Sequence, residues 1–289
     1  MTVAVVVDSA ASLPAALAEQ HRIIVVPMAL IIDDEIRPDT TVAVTELLAR
    51  LRSGPVTTSG PAPGAFAAAI DQARRTADDV LVLTLSAEMS STCSAAVLAA
   101  GLEPGPVRVI DTRTAAGGEG LVALAAARRA LAGAGFDEVE ATARAVIERV
   151  HLAATLDDLD HLVRSGRVPN LARRAANALN VKPIFEFKDG VAHALAPAHG
   201  GRAARRHIVD RCLSDRPGEG AARLHLAVLE AQAPDRAQLL LDEVLDEEPD
   251  ADWFIGSFGP VMIAHVGPGV SGLAWWWEPI SEPRTRPAG

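Results

Sequence analysis

Cysteine is nearly missing from this chain: its 289 residues include two, Cys93 and Cys212. With no C-x-x-C spacing, neither a disulfide framework nor a thiolate metal site is expected, and reduced thiols in a cytoplasmic protein fit the pattern better. The eight histidines form no metal-ligand pattern such as H-E-x-x-H. No G-x-x-x-x-G-K-S/T run occurs. Gly117-Gly118-Glu119-Gly120 lacks the G-x-G-x-x-G order and reads as the start of a helix, not as a nucleotide loop. Positive charge is short as well: 27 Lys and Arg stand against 37 Asp and Glu, a net charge of -10, which leaves a nucleic-acid role without support. No apolar run approaches the roughly 18 residues of a membrane span. The opening, Met1-Thr2-Val3-Ala4-Val5-Val6-Val7-Asp8, has no basic segment and reads as a first strand rather than a signal peptide.

Hydrophobic residues make up 49% of the chain and mean hydropathy is +0.19, enough for a sizeable core in one large or two ordinary domains. Short apolar runs at Val3–Val7, Ile23–Ile32, Val80–Leu85 and Val107–Ile110 have the look of buried parallel strands. Alanine-rich helical stretches, Pro63–Ala77, Ser94–Leu102 and Gly120–Ala132, alternate with the later ones. This order predicts a doubly wound, mostly parallel α/β sheet over residues 1–152. Ligands of such sheets sit beyond the strand carboxyl ends, where Asp8, Ser86 and Asp111 fall.

A mixed α+β domain is expected over residues 153–280. There Lys188-Asp189-Gly190 predicts a hairpin turn, a helix spans Arg202–Leu213 and another Pro234–Leu245, and strands cover Leu224–Glu230, Trp253–Phe258 and Gly272–Trp277. Residues 281–289 carry no apolar pattern and read as a disordered tail. Trp275-Trp276-Trp277 should alternate faces on its strand and seal a core edge.

Two hydroxyl-rich turns point to chemistry: Thr57-Thr58-Ser59-Gly60-Pro61, and Ser86 to Ser94 with Ser90-Ser91-Thr92. Both lead into helix-forming stretches, whose N-termini offer unpaired N–H groups and positive dipole ends to a small anion. Helix capping accounts for either segment alone; two in one half favour a shared anion site. No cluster of acids, cysteines or histidines accompanies them, so they are suited to hold a charge rather than to react with one. His265 precedes Gly267-Pro268-Gly269, a turn that brings backbone close to a neighbour, and is otherwise an ordinary polar strand-end residue. Arg167, in Ser165-Gly166-Arg167, is either a site cation or a solvated helix end. Asp8 and Asp111 are either carboxylates at strand ends or Asx turns.

In order and spacing these segments resemble the DegV family of bacterial fatty-acid-binding proteins. The resemblance rests on Val7-Asp8-Ser9-Ala10-Ala11-Ser12-Leu13-Pro14, Val25-Val26-Pro27-Met28, Thr57 to Gly64, Leu85 to Thr92, Val109 to Arg113, Leu162 to Val168, Val181-Lys182-Pro183-Ile184 and His265 to Val270, and covers the chain to about residue 277. It implies two α/β-type domains, no cofactor, and a long-chain fatty acid buried between and inside them. A separate fatty acid kinase catalytic subunit would convert the bound acid to an acyl phosphate. It further implies carboxylate ligands at Thr58 and Ser90, supporting donors at Ser59, Ser91 and Thr92, and Arg167 and His265 near the head group. Arg202 matches a family arginine whose implied role is contact with that partner or, transiently, with a membrane surface. Ser91 and Cys93 stand where the family has Gly and Tyr, and Gly60 and Ala62 where it has Gln and Ser. Two alternatives remain open: a small-molecule phosphotransferase or other α/β enzyme using Asp8 and His265, and a regulatory module that binds an acyl ligand and changes partners.

Overall fold

A computed structural model describes residues 2–54, 56–157, 160–166, 181–218 and 221–280. Strands β1 (Val3–Asp8), β2 (Ile23–Val26), β6 (Asp79–Thr84) and β7 (Val107–Asp111) form a wholly parallel sheet in the order β2-β1-β6-β7. Helix α1 (Ala15–Gln20) links the first pair, while α3 (Pro63–Ala73) and α4 (Thr92–Leu102) flank β6 in sequence. Every residue of β6 is buried, as a strand covered on both faces must be. Val80 and Val82 join Phe66 and Ile70 of α3 in one apolar cluster, whereas Leu81 and Leu83 join the other face's cluster with α5 (Gly117–Leu131).

The apolar run Ile23–Ile32, expected as one strand, is two. Pro27 has no N–H to give a ladder, and Ser9 Oγ accepts the Met28 N–H at 3.0 Å. Beyond that point β3 (Ala29–Ile32) leaves for a small antiparallel sheet with β4 (Glu35–Pro38) and β5 (Thr57–Ser59), in the order β4-β3-β5, with α2 (Val44–Ser53) between β4 and β5. The first hydroxyl-rich segment is therefore a short strand and not a turn, because its backbone pairs with β3.

After α6 (Phe136–Ile147), strand β8 (His151–Thr155) opens the second sheet, and α7 (Asp160–Ser165) follows it. β9 (Val181–Lys182) pairs with β12 (Ala198–His199); β10 (Ile184–Lys188) and β11 (Val191–Ala194) form the expected hairpin around Asp189-Gly190. Then come α8 (Gly201–Ser214), β13 (Ala221–Glu230), α9 (Pro234–Leu245), β14 (Asp252–Ser257), α10 (Pro260–Val266) and β15 (Ser271–Ile280). The six-stranded order is β11-β10-β8-β15-β13-β14, antiparallel except for β13 with β14. The molecule is thus α/β, with a parallel sheet in its first half and a mixed sheet in its second. Residues 281–289 lie outside the described residues.

Helix α5 is the layer both sheets share, contacting β1 on one side and β13 and β15 on the other. Its glycine-rich start lets it sit that close: a Cβ on Gly117 would fall 2.4 Å from the Ala227 methyl. Gly117-Gly118-Glu119-Gly120 is a helix start packed against protein, as its residue order indicated.

Candidate functional site

A cavity of about 350 Å³ lies between the two halves, walled by residues of both. From the first half come Met28, Leu85 and Met89; from the second come Leu152, Phe185, Leu229, Phe258 and Val261. Among the described residues on its wall there is no Asp, Glu, Lys or Arg. Polarity is confined to Thr58, Ser59, Ser90, Ser91 and His265.

These polar residues converge because two ladders and one short helix aim them. On β5, Thr57 and Ser59 are exposed and Thr58 is half-buried, the alternation of an edge strand. Thr58 stands opposite Leu30 of β3, and its Oγ1 lies 2.7 Å from His265 Nε2. His265 comes from α10, where Val261, Met262, His265 and Val266 form one wall-facing stripe. The second hydroxyl segment approaches from the end of β6. Ser90 Oγ lies 2.8 Å from Thr92 Oγ1 and accepts the Thr92 N–H at 3.3 Å. The absence of a side chain at Gly60 joins the two segments: a Cβ there would fall 2.6 Å from Thr92 Oγ1 and 3.2 Å from Ser90 Oγ.

Helix capping engages Ser90 alone among these hydroxyls, through the Thr92 N–H at the start of α4. The N-cap of α3 is Ala62 and that of α4 is Ser91, and neither makes a side-chain cap bond. Thr58, Ser59, Ser90, Ser91 and His265 are brought together on the wall, while Thr92 is fully buried behind it and braces Ser90. Arg167 lies outside the described residues. Arg202 is exposed at the start of α8 and is not part of the wall. The glycines after His265 do bring backbone close to a neighbour: a Cβ on Gly269 would fall 2.1 Å from Asp157 Oδ2.

Asp8 is not available to the cavity. It is fully buried, and its two carboxylate oxygens accept the Ala10 and Leu85 N–H groups, each at 3.0 Å. Burial pushes its pKa up to about 6. Glu119, equally buried beside it, is raised well above the carboxylate range by burial and then by Asp8's charge. The pairing of Asp8 with His265 that an enzyme would need is therefore not assembled: His265 lines the cavity and Asp8 does not. Asp111 also accepts a local N–H, from Arg113 at 2.8 Å, as an Asx turn does. The residues that sequence reasoning missed are the apolar ones: Met262, Phe185 and Phe187 share the wall through folding alone, and no spacing signals that.

Such a site offers neutral O–H donors and an imidazole at one end of an apolar void, which suits an amphiphile with a small anionic head. Comparison with known proteins agrees. The family model described as "Uncharacterised protein, DegV family" matches residues 2–278. A DegV domain-containing protein of Streptomyces coelicolor is 38% identical over 277 residues, covering 94% of this chain and 97% of its own. Among solved structures, a fatty-acid-binding DegV family protein from Thermus thermophilus superposes with a TM-score of 0.88 at 29% identity, over 96% of this chain and 99% of that one. DegV, a fatty acid binding protein from Bacillus subtilis, gives 0.85 at 25%, over 96% and 100%.

Proposed function

This chain belongs to the DegV family, and on that premise we propose that it is a cytoplasmic carrier that holds a long-chain fatty acid and presents it to a separate fatty acid kinase. The observation that carries the reading is the polarity of the cavity, apolar except where Thr58, Ser90 and His265 converge. Thr58 and Ser90 would each donate to the carboxylate, with Ser59 and Ser91 at the rim, Thr92 holding Ser90 in position and His265 or Arg167 completing the shell. Hydrogen bonds to an ionised acceptor contribute about 1.5–3 kcal/mol each. The tail contributes roughly 0.8 kcal/mol per buried CH₂ and dominates affinity.

The isolated chain would hold its ligand without chemistry of its own, with Thr58, Ser90 and His265 suited to bind a carboxylate. Arg202, solvent-exposed and clear of the cavity, would meet the partner or a membrane surface.

Affinity for oleate beside methyl oleate tests the reading, in wild type, Thr58→Ala and Ser90→Ala. The acid should bind wild type more tightly than the ester, and each substitution should cost about 1–3 kcal/mol for the acid with the fold retained. The two effects should be non-additive, since both residues serve one head group. Equal binding of acid and ester by wild type would overturn the assignment of the head-group site.

A further inference from the structure

Ser86 opens the second hydroxyl-rich segment, yet it is not on the cavity wall. It is fully buried just beyond β6, and each of its polar groups is bonded. Its N–H donates to the Thr114 carbonyl at 2.8 Å, and its carbonyl accepts the Met89 and Ser90 N–H groups at 3.0 and 3.3 Å. Its hydroxyl accepts the Glu88 N–H at 3.2 Å and donates to the Gly190 carbonyl at 2.6 Å. All but the last of these lie within the first half and fix the turn that carries Ser90. The last crosses to the second half. Gly190 is at the tip of the β10–β11 hairpin, and β11 is the outer strand of the six-stranded sheet.

A buried peptide carbonyl at a hairpin tip must find a donor. This tip is shaped to reach Ser86: Gly190 has a φ of +84°, and a Cβ there would fall 2.8 Å from Ser86 Oγ. Glycine permits both the backbone conformation and the approach. The Arg113–Asp189 pair beside it, at 3.0 Å, is exposed on both sides and contributes little. The same hairpin supplies Phe185, Phe187 and Ala192 to the cavity wall. One buried hydroxyl thus joins the turn holding Ser90 to a hairpin that forms part of the acyl wall. We propose that Ser86 is a positioning residue: by seating the hairpin tip on the Ser90 turn, it fixes Ser90 Oγ for the carboxylate without touching the ligand. The inference rests on the fatty-acid reading above and adds a residue that sets its head-group geometry.

The test compares dissociation constants for oleate and methyl oleate in wild type, Ser86→Ala, Ser90→Ala and the double variant. Ser86→Ala should weaken oleate about tenfold, the size of one hydrogen bond to an ionised acceptor, and leave methyl oleate within about twofold. Because Ser86 acts through Ser90, adding Ser86→Ala to Ser90→Ala should cost less than about twofold more. Gly190→Ala, which unseats the tip from the other side, should reproduce the signature of Ser86→Ala. Acid preference unchanged in either variant, equal losses of acid and ester, or losses that add to that of Ser90→Ala would each overturn the proposal. Amide hydrogen exchange of wild type supplies a measurement that needs no variant to fold. Oleate should slow exchange at Glu88, Ser90 and residues 189–191 together, and methyl oleate should do so less. Protection of the turn without the tip, or equal protection by acid and ester, would likewise overturn it. A wild type that binds acid and ester equally would instead overturn the head-group site. One that binds neither would overturn the fatty-acid reading, and this inference with it.

Discussion

Asp8 and Glu119 meet where water reaches neither carboxyl, and the consequence is a pH dependence of stability. Both are raised by burial, Asp8 to about 6. A carboxyl whose folded pKa lies above its unfolded value is buried neutral at low pH, so its contribution is complete below about pH 4 and is lost as pH rises through the folded value. Asp157 and Asp252 run the other way. Hydrogen bonds from Arg236 and Lys182 hold the first low, and those from His225 and Arg128 the second. Their contributions are present above about pH 4 and lost below it, outside the window. Denaturant unfolding of wild type should therefore show stability falling as pH rises from about 4 to 6.5. Asp8→Asn should remove roughly 2–3 kcal/mol of that fall and leave the part set by Glu119, and an unchanged slope would mean other groups set it. At this scale the sequence was legible where chemistry is local: Asp8 was readable as an Asx turn, and its Oδ1 does accept the Ala10 N–H two residues on. Its burial beside Glu119 brings β1 against α5, and nothing near either residue announces it.

Strand β15 shows how alternation distributes a run of three large side chains. Trp275 and Trp277 join the cluster beneath α8 and α9, and their indole N–H groups reach Asp215 Oδ2 at 2.9 Å and the Cys212 carbonyl at 3.1 Å. Trp276 faces the opposite way and stacks on His225 with centroids 4.5 Å apart. None of the three lines the cavity. Fatty-acid titration should accordingly shift tryptophan emission only weakly. Trp275→Ala should cost about 3–5 kcal/mol of stability while leaving oleate affinity unchanged in the folded fraction; a large loss of affinity at constant fold would place the strand in the acyl path. The alternation, the Asp-Gly hairpin and helix Pro234–Leu245 were all legible, since each follows from local periodicity or turn chemistry. The break at Pro27 and the strand at Thr57–Ser59 were not, because β5 exists only through its pairing with β3.

The cavity belongs to the whole molecule, since neither half encloses it alone. Saturating ligand should thus stabilise both halves together, by roughly 2.7 kcal/mol at free oleate 100-fold above its dissociation constant, visible as a single shifted thermal transition. Two transitions, only one of them moving, would show that binding engages one half. The proposed handover would be a separate matter of surface. Arg202 opens α8 with Arg205 and Arg206 close behind, on an otherwise acidic chain, a patch that suits an acidic partner. Arg205 is paired with Glu243 and Arg206 with Asp210. Arg202→Ala should leave oleate affinity intact and lower acyl phosphate formation when a fatty acid kinase catalytic subunit is supplied; an equal loss in both would merge the two roles.

Composition and periodicity determined the α/β class, the parallel strands of the first half, most helices and the two hydroxyl-rich segments, because each depends on residues within a dozen positions of one another. The order of the motifs along the chain carried the family resemblance as well. The cavity and its apolar lining were decided by tertiary structure alone, whereas Thr58, Ser90 and His265 were indicated by the motifs and only their contact waited on the fold. Thr58 and His265 are 207 residues apart and touch because β5 pairs with β3 and α10 packs beside them. Hydrogen-bond partners at such separation are chosen by which surfaces can be buried together, and no local pattern encodes that choice.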